Sequence, residues 1–442
     1  MNVLLVSTYE LGRQPFGLSS PAAWLAARGH QVTCADLSVA TLSEDAVQSA
    51  RLICLYLPMH TATRLAAGAI RKIRTLNPDA HVCCYGLYAP LNEAYLRSLG
   101  VETVLGGEFE AGLVSLAERV AQGSRAPQTE ALISLDRLQF LTPARSGLPP
   151  LTDYARLRVN GSTKRAGYTE ASRGCKHLCR HCPIVPVYRG AFRVVQPEVV
   201  LADIRQQVAA GAEHITFGDP DFFNGPTHAM RIVEAMHRDF PGLTYDATIK
   251  IEHLQKHGGL IPRLKETGCL FVTSAVESID DAVLMKLDKR HTRSDFVAVV
   301  ERFRAADLAL AATFIPFTPW TTRESYVELL GFLVEHGLVD NVAPVQLALR
   351  LLIPNNSPLL ELEDVRAVVT GFEHAALLHR WKHPDPGMDA LAEKALKIAA
   401  ESGSRPEIFA KLWRLANEQA LPENFDLMPR VTIPYMDEPW YC

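Results

Sequence analysis

Short apolar runs alternate with amphipathic stretches along the first 122 residues. The runs fall at Val3–Ser7, Gln31–Ala35, Leu52–Leu57, His81–Tyr85 and Thr103–Leu105, and helical patterns lie near Ala22–Arg28, Ala62–Thr75 and Leu91–Leu99. Continuous apolar strands spaced by helices predict a parallel, doubly wound sheet with both faces covered. Such sheets take ligands beyond the carboxyl ends of their strands. Here those ends are Thr8–Phe16, Pro58–Thr61 and Gly86–Pro90, and the last two are short enough to admit a flat ligand. Residues 123–166 lose the periodicity and are rich in Gly, Pro, Ser and Arg, which predicts a linker. From residue 167 to about 360 the alternation resumes. Its strand candidates are Gly167–Ala171, His214–Phe217, Leu243–Ile249, Leu270–Ser274, Leu310–Ile315 and Val345–Leu351. Six such units fit a partial (β/α)6 barrel with its site at the carboxyl ends of the strands. Residues 361–442 read as mainly helical, with a Pro- and aromatic-containing tail. The fold class expected is therefore α/β: a doubly wound sheet, a partial barrel and a helical C-terminal region.

Composition narrows the function classes. A chain of 442 residues, 48% hydrophobic, can bury the cores of two or three domains. A net charge of -4 gives no general pull on phosphate backbones, so no nucleic-acid partner is expected. No apolar run approaches membrane-spanning length, and Met1–Ser7 reads as a strand rather than a signal peptide. The expectation is a cytoplasmic protein with no membrane partner. Of the nine cysteines, Cys34, Cys54, Cys83, Cys84 and Cys269 lie in or beside apolar runs and read as small buried hydrophobes.

The segment Ser172-Arg173-Gly174-Cys175-Lys176-His177-Leu178-Cys179-Arg180-His181-Cys182-Pro183 is different. Three thiols at spacing Cys-x3-Cys-x2-Cys follow the first barrel strand directly. Thiolates in one tight loop can hold three irons of a 4Fe-4S cubane. With three ligands only, the fourth iron keeps a vacant position, where the amino and carboxylate groups of S-adenosylmethionine can chelate. Gly174 and Pro183 suit a loop wrapped closely around such a group. The rival is a structural zinc site with His177 or His181 as fourth ligand, although no second ligand pair is visible nearby.

The cysteine loop resembles that of the radical S-adenosylmethionine (SAM) superfamily. Residues 1–122 are similar to the cobalamin-binding, flavodoxin-like domain that precedes the barrel in one branch of it. Ile215–Phe222 resembles the second-strand segment facing the methionine end of the cofactor, which implies roles for Gly218 and Asp219. Thr273–Ser278 is similar to the segment carrying an acidic residue near the ribose, which implies Glu277. His181 stands where relatives place an aromatic residue near the adenine, and Arg350 is a cation that could face the barrel. Plainer readings stay open: Asp219 and Asp221 as turn formers, Glu277 as a helix-start carboxylate. Cobalamin is an open second cofactor. The Asp-x-His-x-x-Gly signature is absent from residues 8–17. Tyr85-Gly86-Leu87-Tyr88 puts bulky side chains where relatives carry adjacent glycines, and His60 reads as a loop histidine. Residues 7–17, residues 56–62 and the ending Met436–Cys442 resemble the CUAEP/CCAEP-tail radical SAM proteins, whose tails carry Cys followed by Cys or selenocysteine. That resemblance implies a redox-active Cys442 and a tail continuing past it with selenocysteine or Cys.

The resemblance implies a radical SAM enzyme that abstracts hydrogen from a small molecule or peptide, with a reductant such as flavodoxin or ferredoxin as electron source. Three outcomes stay open: methyl transfer with cobalamin, rearrangement, dehydrogenation or sulfur/selenium insertion without it, and a non-catalytic zinc or iron-sulfur redox module.

Overall fold

In the computed structural model, which describes residues 1–124, 128–419, 421 and 434–437, the amino-terminal strands are β1 (Asn2–Ser7), β2 (Gln31–Asp36), β3 (Leu52–Tyr56), β4 (His81–Tyr85) and β5 (Thr103–Gly107). They run parallel in the order β2-β1-β3-β4-β5, the flavodoxin-like winding, with a switch point between β1 and β3. Helices α1 (Phe16–Ala27), α2 (Glu44–Ser49), α3 (His60–Leu76), α4 (Glu93–Ser98) and α5 (Glu110–Ala121) cover the two faces. β1 and β3 are buried along nearly their whole length because helices pack on both sides. In α3 the buried positions Ala62, Ala66, Ile70 and Ile73 follow the helical period that marks its core face. α1 begins six residues ahead of the expected Ala22, because Phe16 and Leu18 are core residues under the sheet.

The expected linker 123–166 is more structured than its composition suggests. β6 (Ile133–Ser134) adds a sixth strand beside β5. β7 (Arg156–Val159) and β8 (Ser162–Thr169) form an antiparallel hairpin whose turn residues Asn160 and Gly161 both have positive φ. That two-residue Asn-Gly turn matches the right-handed twist of the strands it joins. β8 is the first barrel strand, starting five residues before the expected Gly167.

β9 (Ser172–Gly174) pairs with β10 (Phe192–Val194) to frame the cysteine loop. The barrel continues through β11 (His214–Phe217), β12 (Thr244–Thr248), β13 (Cys269–Glu277) and β14 (Ala309–Phe314), in sheet order β14-β13-β12-β11-β8-β7. Ile215, Phe217, Tyr245, Ala247, Val272 and Ala312 pack outward against the helices in the largest core cluster. The sixth unit is reduced. The expected strand Val345–Leu351 is a 3-10 turn over Pro344–Leu347, followed by a single parallel bridge between Phe317 and Arg350. Pro344 starts the turn and, lacking an N–H, could not extend a ladder.

Beyond residue 360, helices Pro386–Ala399 and Arg405–Asn417 bear out the helical expectation, but β15 (Val369–Glu373) and β16 (Leu378–Trp381) add an antiparallel hairpin to it. β17 (Tyr435–Met436) pairs with β7 at the sheet edge. No helix among the described residues is long and apolar enough to cross a membrane.

Candidate active site

The cysteine loop hangs from the carboxyl end of β8. Gly174 has φ +73°, and a Cβ there would come 2.3 Å from the Tyr188 ring and 2.6 Å from the Ala191 carbonyl, so only glycine lets the loop turn back on itself. Asn224 clamps the turn: its Oδ1 accepts from Lys176 N at 3.1 Å and its Nδ2 donates to the Gly174 carbonyl at 3.3 Å. On the far side, the Arg180 N–H donates to the Leu287 carbonyl at 3.0 Å. Cys175, Cys179 and Cys182 are free thiols. Burial pushes Cys175 up to about 11 and Cys182 up to about 12, so a metal must displace their protons to bind.

Two charged groups flank the loop. On one side Glu277, at the end of β13, lies 3.0 Å from His181 Nε2 and 3.3 Å from Lys289 Nζ, and both partners are largely shielded from solvent. Glu277 has φ +70°, and the β13–β14 register slips between Ala275 and Glu277. A bulge with a left-handed residue re-aims a side chain at a sheet end. Burial pushes the Glu277 carboxyl up, but Lys289 and His181 outweigh it and hold the group near 2. The charge of Lys289 is also felt by the Cys182 thiol.

On the other side Asp221 caps the short turn Phe222–Asn224. Its Oδ2 lies 2.7 Å from His253 Nδ1 and 3.4 Å from His177 Nε2. Ligand atoms of Cys175, His177 and Asp221 lie within 4.8 Å of one another. Burial raises the Asp221 carboxyl, and the two histidines more than offset it, bringing it to about 2. Nearby, Gly218 is packed so closely that a Cβ would fall 1.9 Å from the Tyr168 hydroxyl.

Asp219 takes hydrogen bonds from Ser172 Oγ at 2.5 Å and Ala171 N at 2.9 Å, tying β11 to the start of the cysteine strand. Burial nonetheless lifts its carboxyl to about 7. The folded value lies above the unfolded one, so the stability this group supplies is complete below roughly pH 4 and is lost as pH rises through 7. Urea unfolding between pH 5 and 8 is expected to show that decline, at most about 1.4 kcal/mol per pH unit from this group, and Asp219→Asn is expected to flatten it.

The structure thus brings His181 and Glu277 together, and sets Gly218 and Asp219 at the base of the loop. Arg350 stands apart: its guanidinium lies over the Trp381 ring at 3.6 Å and bonds Asp389 Oδ1 at 2.5 Å, and it shares no partner with the cysteine loop. Cys442 lies outside the described residues. His60 Nε2 lies 2.5 Å from the Ala376 carbonyl. Lys289, His253 and Asn224 are contributions that no spacing in the sequence signalled.

A family description, "Radical SAM superfamily", matches residues 169–333. Ribosomal protein uS12 methylthiotransferase RimO of Geobacter sulfurreducens is 29% identical over 192 residues, covering 41% of this chain and 43% of that protein. The chain therefore spans under half the length of that relative. Hopanoid C-3 methylase of Methylococcus capsulatus is 24% identical over 357 residues, 77% of this chain and 68% of that protein. Two solved structures share the fold. The radical SAM methyltransferase TsrM of Kitasatospora setae, with cobalamin and a 4Fe-4S cluster bound, superposes with TM-score 0.59 at 16% identity over 76% of this chain and 70% of that one. The cobalamin-dependent SAM radical enzyme OxsB, with aqua-cobalamin bound, gives TM-score 0.66 at 14% identity over 89% and 66%.

Proposed function

Starting from a radical SAM domain over residues 169–333, we propose that this chain binds a 4Fe-4S cluster through Cys175, Cys179 and Cys182 and cleaves S-adenosylmethionine to abstract hydrogen from a small molecule or peptide. The observation that carries the reading is the loop itself. Three thiols sit on one clamped turn, with an ionised carboxylate and its buried cation on one side and a second ionised carboxylate on the other. A cluster bound there supplies one-electron reduction of a sulfonium, giving methionine and a 5'-deoxyadenosyl radical.

The chain's own groups bind and orient. The thiols lose their protons on metal binding, and the Lys289 ammonium opposes the negative charge that then collects on the loop. Glu277, ionised across the physiological range, can accept from nucleoside hydroxyls while His181 steadies its other side. Asp221 can take the cationic amino group of the methionine end, because it is ionised and stands beside Cys175. Asp219 holds the cysteine strand to β11 through Ser172. A small reductant protein of the flavodoxin or ferredoxin class is the electron source this reading requires.

A second reading is methyl transfer, in keeping with relatives named for methylation. Anaerobic incubation with S-adenosylmethionine and dithionite separates the two. Hydrogen abstraction alone yields 5'-deoxyadenosine without S-adenosylhomocysteine, and methyl transfer yields both. Release of neither nucleoside product, from protein holding zinc in place of iron, would leave the Cys175–His177–Asp221 group as a zinc site and overturn the proposal.

A further inference from the structure

A doubly wound sheet leaves a crevice at the carboxyl ends of its strands, and here side chains of both domains fill it. At the ends of β3 and β4, Tyr56, Tyr85 and Phe109 form a triangle of rings with centroids 4.9, 5.3 and 5.9 Å apart. The Tyr85 hydroxyl donates to the Gly17 carbonyl at 2.7 Å, and a Cβ on Gly17 would lie 2.2 Å from the Tyr56 ring. With Leu5, Leu18 and Leu25 of the same core cluster, the rings pack the contact between the strand ends and α1.

Beside them, in the gap between the domains, lies Arg173 of β9, two residues ahead of Cys175. Its fork bonds Glu110 at 2.7 and 2.9 Å, its Nε bonds Glu170 at 2.7 Å, and Glu108 lies 3.5 Å away. The guanidinium also faces the rings of Phe16, Phe109 and Phe140 at 5.0 to 5.7 Å. Tyr188, from the far end of the cysteine loop, donates to Glu108 at 3.1 Å. Arg173 and its three carboxylates are at most 9% exposed. A corrinoid needs a slot for its ring and a second for its nucleotide tail. Opening either one here would unstack the aromatic triangle or strip three buried carboxylates of the cation they share.

We infer that this crevice is closed to corrinoids, and that Arg173 is a positioning residue that locks the amino-terminal domain onto the cysteine loop. The second half rests on the cluster proposed above. A planar, always-charged fork suits the task, because it can bond two carboxylates and stack on rings at once. Both ends of the loop are held this way: Arg173 at its entry and Tyr188 at its exit meet the pair Glu108 and Glu110, which flank Phe109 ahead of α5.

The test uses the full chain with its cluster reconstituted anaerobically. After incubation with excess hydroxocobalamin and desalting, cobalt is expected below about a tenth of an equivalent while iron stays at its full value. Cobalt near one equivalent per chain overturns the closed crevice. For Arg173, the variant Arg173→Met is compared with Arg173→Met/Glu110→Gln, which relieves part of the charge imbalance. The double variant is expected to regain part of the melting temperature lost in the single one. It should still hold less than half the wild-type iron, with an altered paramagnetic resonance spectrum. A double variant with full iron and an unchanged spectrum overturns the positioning role. If the wild-type chain takes up no iron, the proposed function fails by itself, and the cobalt result still decides the crevice.

Discussion

Cys179→Ala is expected to lose the cluster and the chemistry together. Iron should fall from about four per chain to well under one, and release of 5'-deoxyadenosine should drop by at least about a thousandfold. Cys179 is the central thiol of the loop and is 7% exposed. Cys269 supplies the control. It is buried too, but its Sγ meets the Phe271 carbonyl at 3.3 Å within the β13 core, away from the loop. Cys269→Ala is expected to keep full iron and activity while losing about 1–2 kcal/mol of stability from the lost packing. Iron content and product release by chromatography check both variants.

The second large effect is expected at Glu277. Glu277→Ala leaves the Lys289 ammonium buried beside the cysteines without its carboxylate, which costs about 3–5 kcal/mol. Removing both charges with Glu277→Gln/Lys289→Met is expected to recover much of the loss, since the penalty lies in the unpaired charge. Urea unfolding of the two variants beside the wild type measures this. The pH dependence has the opposite sign to that of Asp219. The folded Glu277 value, near 2, lies below its unfolded value near 4.5. Its contribution is therefore present above the unfolded value and fades as pH falls toward 2.

Much of this architecture is legible in the chain. Strands β1, β3 and β4 are nearly continuous apolar runs, so burial on both faces leaves a strong trace, and the boundaries of all five amino-terminal strands fall within two residues of those expected. The same holds for β11 and β14. The hairpin β7–β8 is harder to see, although Asn160-Gly161 is a strong turn signal. β7 is short, and it and the first half of β8 are charged and partly exposed, so they look like the linker around them. The sixth barrel unit misleads in the other direction. Val345–Leu351 is apolar enough for a strand, but Pro344 turns the chain, and the segment is buried as a 3-10 turn and a bridge.

At the site, local spacing revealed the three thiols because all three share one loop. Glu277 and His181 could be named only by resemblance, and the contact between them depends on a β-bulge that no periodicity encodes. Lys289 stands in a loop between two residues of positive φ, Asp288 and Arg290, and reads from sequence as one of many surface lysines. Arg350 shows the reverse failure: a lone cation among apolar residues looks functional, but Trp381 and Asp389 claim it.

One measurement bears on the central claim more directly than any variant. The chain is reconstituted with iron and sulfide without oxygen, reduced, and its paramagnetic resonance spectrum recorded before and after S-adenosylmethionine is added. A reduced-cluster signal that changes shape on addition is the expected result, because the nucleotide occupies the iron that the three cysteines leave open. A spectrum that S-adenosylmethionine does not alter, or a protein that takes up no cluster, would contradict it.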